Sequence, residues 1–119
     1  MSRLPAPGRA ALVALLAMAA IVAIDLHGGE ELSRYLRVGE VASARDFVEA
    51  EIPDAQLVPG WGHDGQANYV LARTFPDLTG AEGHLDSVTY RARRILYPAL
   101  ASWLPPGMPT VVGLLALNL

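Results

Sequence analysis

Two apolar segments enclose a polar middle stretch. The first contains no charged residue and no proline over residues 10–24. A straight helix needs about 20 apolar residues to cross the hydrocarbon core, and residues 10–26 approach that length if Arg9 and Asp25 reach toward the two interfaces. We therefore predict a transmembrane helix over residues 10–26, preceded by a cytoplasmic tip of residues 1–9.

A secretory signal peptide is the alternative for this first segment, because a basic start and an apolar stretch of this length fit one. The cleavage site would be poor. Ala17-Met18-Ala19 lies inside the apolar run, and Ile21-Val22-Ala23 lacks a small first residue. The pattern therefore favours a retained anchor. In both cases Arg3 and Arg9 favour a cytoplasmic N-terminus and export of the following chain.

The second apolar segment is interrupted by Pro105-Pro106-Gly107-Met108-Pro109. Ten residues of helix cover only about 15 Å, so we predict an interfacial or re-entrant helix over residues 95–104, with Tyr97 and Trp103 at the headgroup level. Residues 109–119 are typical of the start of a second transmembrane helix. The apolar pattern continues up to the last residue. We therefore expect this chain to be the N-terminal portion of a longer polytopic protein.

The middle stretch, residues 27–94, alternates short helical patterns with turns. Periodicity and helix-ending residues predict helices over residues 41–51, 65–74 and 87–94, with a turn or short extended piece at residues 57–60. Because it has few large apolar residues for its length, we do not expect this stretch to form a free-standing core. The predicted fold class is mainly α: a membrane protein with an N-terminal transmembrane helix, a helical extracytoplasmic loop and an incomplete second span.

The charges follow the same division of the chain. Residues 1–24 carry two arginines and no acid, residues 25–90 carry four arginines against twelve acids, and residues 91–119 carry three arginines and no acid. A chain threaded through a membrane often sorts its charges in this way. We predict a plasma-membrane location, the inner membrane in a cell with two membranes, with the acidic loop outside. The net charge of −3 argues against a nucleic-acid binder.

The absence of cysteine excludes a disulfide scaffold, a thiolate metal site and a cysteine nucleophile. The densest local signal is a turn that contains Trp61 and Asp64 directly before a predicted helix. Asp64 is either an N-cap that accepts backbone N–H groups of the next turn, or a carboxylate facing a polar cleft. In the second case it could bind a divalent cation or take a proton from a hydroxyl. The three histidines have no metal-ligand spacing: His27, His63 and His84.

Two further groups of charged residues stand next to the apolar segments. Asp25 ends the first segment, where a carboxylate costs free energy unless it is interfacial or paired. Arg91, Arg93 and Arg94 precede the second segment. If the loop is exported, these arginines lie opposite to the positive-inside tendency, which an inverted topology or attraction to anionic headgroups would explain. The other interpretation is recognition of a phosphate, since the guanidinium fork matches phosphate oxygens.

The order of these motifs resembles the start of multi-spanning bacterial membrane proteins related to the GT-C glycosyltransferases, and most of all the PIG-V-like mannosyltransferase branch. Two motifs after one N-terminal span carry the resemblance: Trp61-x-x-Asp64-Gly65-Gln66-x-x-Tyr69 and Tyr90-Arg91-x-Arg93-Arg94-Ile95-Leu96-Tyr97-Pro98. The chain departs from the family's pattern at one place, because two residues separate the tryptophan from the aspartate, which are adjacent in the family's motif.

The resemblance implies transfer of a sugar from a polyprenyl-phosphate donor, with membrane lipids and a lipid-linked sugar as partners. Asp64 would be the catalytic base or a contact to a divalent cation, with Asp25 a weaker candidate for the base. Enzymes of this class have many spans, so we expect this chain to be inactive by itself. The implied substrate contacts are Arg91 and Arg94 at the donor phosphate, together with Trp61, Gln66 and Tyr69. The alternatives are a non-enzymatic membrane or interaction protein that docks through the same loop, and a small exported domain on an anchor.

Overall fold

The structure is a computed structural model that describes residues 6–27 and 32–117, with only part of the side chains in residues 6–27. The chain divides into two compact units. One contains the first helix, and the other contains the remaining described residues.

The first unit contains one helix, α1 (Ala6–His27), whose 22 residues correspond to about 33 Å. The large apolar side chains that the structure describes in it are exposed on several sides, as the fractions for Val13 (65%) and Leu16 (59%) illustrate. The predicted helix over residues 10–26 is therefore confirmed as a helix. Among the helices that the structure describes, none combines the length and the apolarity needed to cross a membrane. The crossing itself stays a prediction.

The second unit is built from short helices around a two-stranded sheet. Its mainly helical character confirms the predicted secondary-structure class. Three of the elements are single turns of 3-10 helix. In chain order the elements are a 3-10 helix (Leu32–Leu36), β1 (Val38–Gly39), α2 (Arg45–Glu51), β2 (Leu57–Val58), α3 (Asp64–Thr74), a 3-10 helix (Leu78–Ala81), α4 (Val88–Arg91), a 3-10 helix (Ala92–Arg94), α5 (Leu96–Ala101) and α6 (Met108–Leu117).

Helix α3 lies at the centre of this unit. The predicted helix over residues 65–74 is confirmed to within one residue. Four consecutive residues, Tyr69 to Ala72, are at most 1% exposed. Since four consecutive residues point to all sides of a helix, α3 must be covered all round. The elements that cover it are α2, α5, α6 and two of the 3-10 helices.

The second apolar segment of the sequence supplies part of this core. Val111 and Leu114 of α6 and Ala101 of α5 are buried together with Val38 and Val48. We expected no free-standing core from the polar stretch because its own apolar residues are few. That expectation did not count the apolar residues that α5 and α6 add to the core. Helix α6 begins before residue 109, and α5 has six residues rather than the ten predicted. Apolar residues assigned from sequence to the bilayer thus serve, in the described structure, to close a protein core.

A partly buried hydrogen-bond network fixes α3 to its neighbours. The Tyr69 hydroxyl donates to Glu51 Oε2 at 2.6 Å and accepts from the Gly107 backbone N–H at 2.9 Å. Arg73 Nε donates to the same Glu51 oxygen at 3.0 Å. Burial, followed by the hydrogen bond to Glu51, raises the pKa of Tyr69, so its phenol stays neutral. The network joins the end of α2, the middle of α3 and the turn before α6.

Candidate functional site

Asp64 is the first residue of α3 rather than its N-cap. His63 occupies the N-cap position with an extended backbone, and no side chain caps the helix. The Asp64 side chain is 65% exposed and forms an ion pair with Arg91 through Oδ1 and Nη1. The interpretation of Asp64 as an N-cap is therefore wrong. Its carboxylate instead faces a cation, with the positive end of the α3 dipole beside it.

Arg91 holds two carboxylates at once. Besides its contact with Asp64, its Nε donates to Asp86 Oδ1 at 2.9 Å and its Nη2 donates to Asp86 Oδ2 at 3.1 Å. This paired contact fixes the plane of the guanidinium. The hydrogen bond from Arg91 lowers the pKa of Asp86, and the bond to Asp86 is the main cause that raises the pKa of Arg91. The Asp86–Arg91 pair is therefore charged at neutral pH.

Hydrogen bonds hold the loop before α3 (residues 59–63) against β1 and the residue before it. Gln66 Oε1 accepts from the Gly39 backbone N–H at 3.1 Å, and Gln66 Nε2 donates to the Trp61 carbonyl at 2.7 Å. The His63 N–H donates to the Arg37 carbonyl at 2.9 Å. Gly62 has a φ of +73°, which favours glycine. These bonds hold the segment that carries Trp61 and Asp64 in one conformation.

The larger cleft of this unit combines positive charge with an apolar wall. Its volume is about 810 Å³. Tyr97 also lines it, and burial, together with the nearby charge of Asp64, raises the pKa of this phenol. The cleft is therefore suited to an anionic group of a ligand that lies next to apolar side chains. The charged residues that line it are Asp64, Arg91, Arg93 and Arg94, and the apolar ones are the core residues Leu36, Val111 and Leu114, each at most 5% exposed, and the half-buried Leu115.

A second, smaller cleft of about 410 Å³ is lined by aromatic, polar and apolar residues, the apolar ones being Ala42, Ala44, Ala67 and Leu85. Asp64 and Arg91 line both clefts, so the ion pair forms a wall that the two clefts share. The other lining residues that carry polar or aromatic groups are Ser43, Trp61, His63, Gln66, His84 and Asp86.

The structure brings several of the predicted site residues together. Asp64, Arg91 and Arg94 line the larger cleft, and Trp61 lines the smaller one. Gln66 serves the fold through its bonds to two backbone groups. The side chain of Asp25 lies outside the described residues, so nothing relates it to either cleft.

Tyr69 is fully buried, and in this structure its hydroxyl bonds Glu51 and Gly107 rather than lining a cleft. Its role as a substrate contact stays a prediction, as does that of Gln66. Sequence reasoning did not identify Asp86 as the second partner of Arg91. The local signal was Asp86-Ser87 directly before a helical turn, with an arginine at the end of that turn.

Within the described part of the chain, no group of three or more His, Cys, Asp or Glu side chains is arranged to hold a metal ion. Comparisons with protein families, with characterised proteins and with solved structures find no match for this chain.

Proposed function

We propose that this chain is part of a membrane-embedded glycosyltransferase that uses a polyprenyl-phosphate sugar as donor. The observation that carries the proposal is the larger cleft, which an arginine cluster and apolar residues line together. A polyprenyl phosphate has the matching chemistry, because a charged phosphate is attached directly to a hydrocarbon chain. The resemblance of the two sequence motifs to GT-C proteins supports the same substrate class.

The arginines of the cleft are suited to different tasks. Arg91 is 25% exposed in its side chain and is held by two carboxylates, so its guanidinium is oriented before a ligand arrives. Arg93 and Arg94 are exposed at the same cleft. Among the residues that the structure describes, neither has an ion-pair partner. In the proposal, Arg94 binds the donor phosphate together with Arg91, as the family resemblance implies.

Asp64 is the base of the proposed reaction. A hydroxyl oxygen of the acceptor attacks the anomeric carbon of the donor sugar and forms the new glycosidic bond. The bond between that carbon and the phosphate oxygen breaks, and its electron pair leaves with the polyprenyl phosphate. The hydroxyl proton passes to a carboxylate oxygen of Asp64. The position of Asp64 on the wall shared by two clefts supports this role, since the base must reach the acceptor hydroxyl where that hydroxyl meets the donor sugar.

A lipid-phosphate binding measurement tests this proposal. We expect farnesyl phosphate to bind the full chain in detergent at least about tenfold more tightly than farnesol. Arg91→Gln and Arg94→Gln should each weaken farnesyl phosphate binding by about tenfold or more and leave farnesol unaffected. The control is Arg45→Gln, which removes an arginine that pairs with Glu49 on α2. Equal binding of farnesyl phosphate by all variants would remove the phosphate role of the cleft.

Membrane insertion through α1 is the second part of the proposal. Its exposed apolar side chains support it, because a helix that is apolar on several sides needs a partner or a bilayer to cover it. We expect the chain expressed in bacteria to stay with the membranes after alkaline carbonate extraction. Leu12→Asp with Leu16→Asp should release it, since each charge at a helix centre costs about 2.5–3.5 kcal/mol. Val41→Asp is the control, as Val41 is an exposed apolar residue of the second unit. Release of the unsubstituted chain by carbonate would contradict this assignment.

The alternative is a non-enzymatic protein that docks through its exposed loop and helices. The exposure of Trp103 (88%) and Leu96 (75%) favours this candidate, because large exposed apolar side chains often mark contact surfaces. Farnesyl phosphate binding separates the two candidates. A docking protein has no need of an arginine cleft that distinguishes a prenyl phosphate from the corresponding alcohol.

A further inference from the structure

We propose that the smaller cleft is a saccharide site, which binds the acceptor sugar with Trp61 as its stacking platform. This inference rests on the proposed function, because it takes the larger cleft as the place of the lipid-linked donor. It adds the class of the acceptor and the site at which that acceptor binds. Three observations carry it: the presentation of Trp61, the polar groups around it, and the wall shared with the donor cleft.

Trp61 has the properties of a binding side chain. It is 75% exposed, although it stands in a loop that is held tightly to β1. Its own carbonyl accepts the 2.7 Å hydrogen bond from Gln66, and the backbone of the same loop pairs with the backbone around Val38. The indole is therefore carried by a rigid backbone, which lowers the entropic cost of binding. The apolar face of a pyranose ring is a suitable partner for a flat, exposed indole.

One polar group of the smaller cleft, the His84 ring, is suited to a sugar hydroxyl. His84 Nδ1 lies 3.3 Å from the Ser43 carbonyl oxygen, and a carbonyl can only accept. Nδ1 therefore carries the proton in the neutral ring, which leaves Nε2 as an acceptor. The ring is further held by an edge contact with Phe47, with the centroids 5.2 Å apart. One aromatic platform with a few fixed polar groups, in a volume of about 410 Å³, is typical of a small-molecule site.

The shared wall gives this cleft its place in the reaction. Asp64 and Arg91 line both clefts, so a hydroxyl bound beside Trp61 and a phosphate bound beside Arg94 would meet at the same carboxylate. This arrangement fits sugar transfer, because the acceptor hydroxyl must reach the base and the anomeric carbon of the donor at the same time. Arg94, which binds the donor phosphate in the proposed function, lines the larger cleft and not the smaller one, so the smaller cleft is assigned to the acceptor.

The test measures binding of methyl α-D-mannopyranoside to the full chain in detergent. Saturation-transfer NMR on the ring protons of the sugar detects the binding. We expect saturable binding that Trp61→Ala weakens about five- to tenfold and that Trp61→Tyr partly retains. Trp103→Phe is the matched control, since Trp103 is also exposed but lies outside the cleft, and it should bind like the unsubstituted chain. Glycerol, which has hydroxyls but no ring, should not compete.

Farnesyl phosphate is titrated in parallel to separate this inference from the proposed function. Trp61→Ala should bind farnesyl phosphate normally, because Trp61 does not line the larger cleft. Normal farnesyl phosphate binding with no saccharide signal, or with a signal that Trp61→Ala leaves unchanged, overturns the saccharide site alone. Saccharide binding at Trp61 without farnesyl phosphate binding supports the site and overturns its assignment as the acceptor site of a prenyl-phosphate enzyme.

Discussion

Replacing Gly39 with alanine will lower the free energy of unfolding of the second unit by at least about 3 kcal/mol. A Cβ at this position would lie 2.2 Å from the Trp61 carbonyl carbon and 2.4 Å from both Gly60 O and Gly62 N. All three are main-chain atoms, so no flexible side chain can move out of the way. The loop must leave β1, which also breaks the hydrogen bond between Gly39 and Gln66.

Urea unfolding followed by tryptophan fluorescence measures this effect, since both tryptophans lie in the second unit. Gly60→Ala is the matched control, because a Cβ at Gly60 meets nothing within 4 Å. Its φ of +79° alone should cost about 1–2 kcal/mol. A Gly39→Ala variant no less stable than Gly60→Ala would show that the loop does not rest on β1 as described.

The parts of the fold that the sequence predicts well are those governed by local signals. Helix α3 follows a glycine-rich turn and ends before Phe75-Pro76, and both limits can be read from neighbouring residues. The helical character of residues 87–94 and the extended piece at Leu57 depend on the same kind of signal. Here local preference and the final structure agree, so the prediction needs no knowledge of the tertiary contacts.

Local sequence signals could not decide the role of the second apolar segment, residues 95–119. A buried face of a core helix and the side of a bilayer helix both need apolar residues, so Val111 and Leu114 look the same from sequence in either setting. The difference lies in contacts with α3 and the first 3-10 helix, which come from distant parts of the chain. The burial of Tyr69 has the same origin, because its partners Glu51 and Gly107 are 18 and 38 residues away.

The candidate site shows the same limit. Asp64 and Arg91 each carry a sequence signal, but nothing local indicates that residues 27 positions apart form an ion pair. The contact arises because the first residue of α3, Asp64, lies next to the last residue of α4, Arg91. It changes the interpretation of both residues: Asp64 faces a cation instead of capping its helix, and Arg91 is oriented by two acids.

In the membrane-embedded enzyme of which we propose this chain is part, Asp64→Asn will reduce sugar transfer by about 10²- to 10⁴-fold, which is the usual contribution of a general base. The amide has the size of the carboxylate but cannot take the proton of the acceptor hydroxyl. Stability should change by less than about 1 kcal/mol, because the ion pair with Arg91 is largely exposed on the aspartate side. The measurement is transfer from a polyprenyl-phosphate sugar in membranes, with Asp77→Asn as control, since Asp77 is an exposed acid that only caps a 3-10 helix.

The same variant distinguishes a base from a residue that merely orients Arg91. Asp86 still holds the guanidinium of Arg91 by two hydrogen bonds when Asp64 is neutralised. Farnesyl phosphate binding should therefore be unchanged or stronger in Asp64→Asn, because a negative charge near the phosphate has been removed. A parallel loss of binding and transfer would assign Asp64 to the positioning of Arg91. Normal transfer in Asp64→Asn would exclude it as the base and leave the larger cleft as a binding site only.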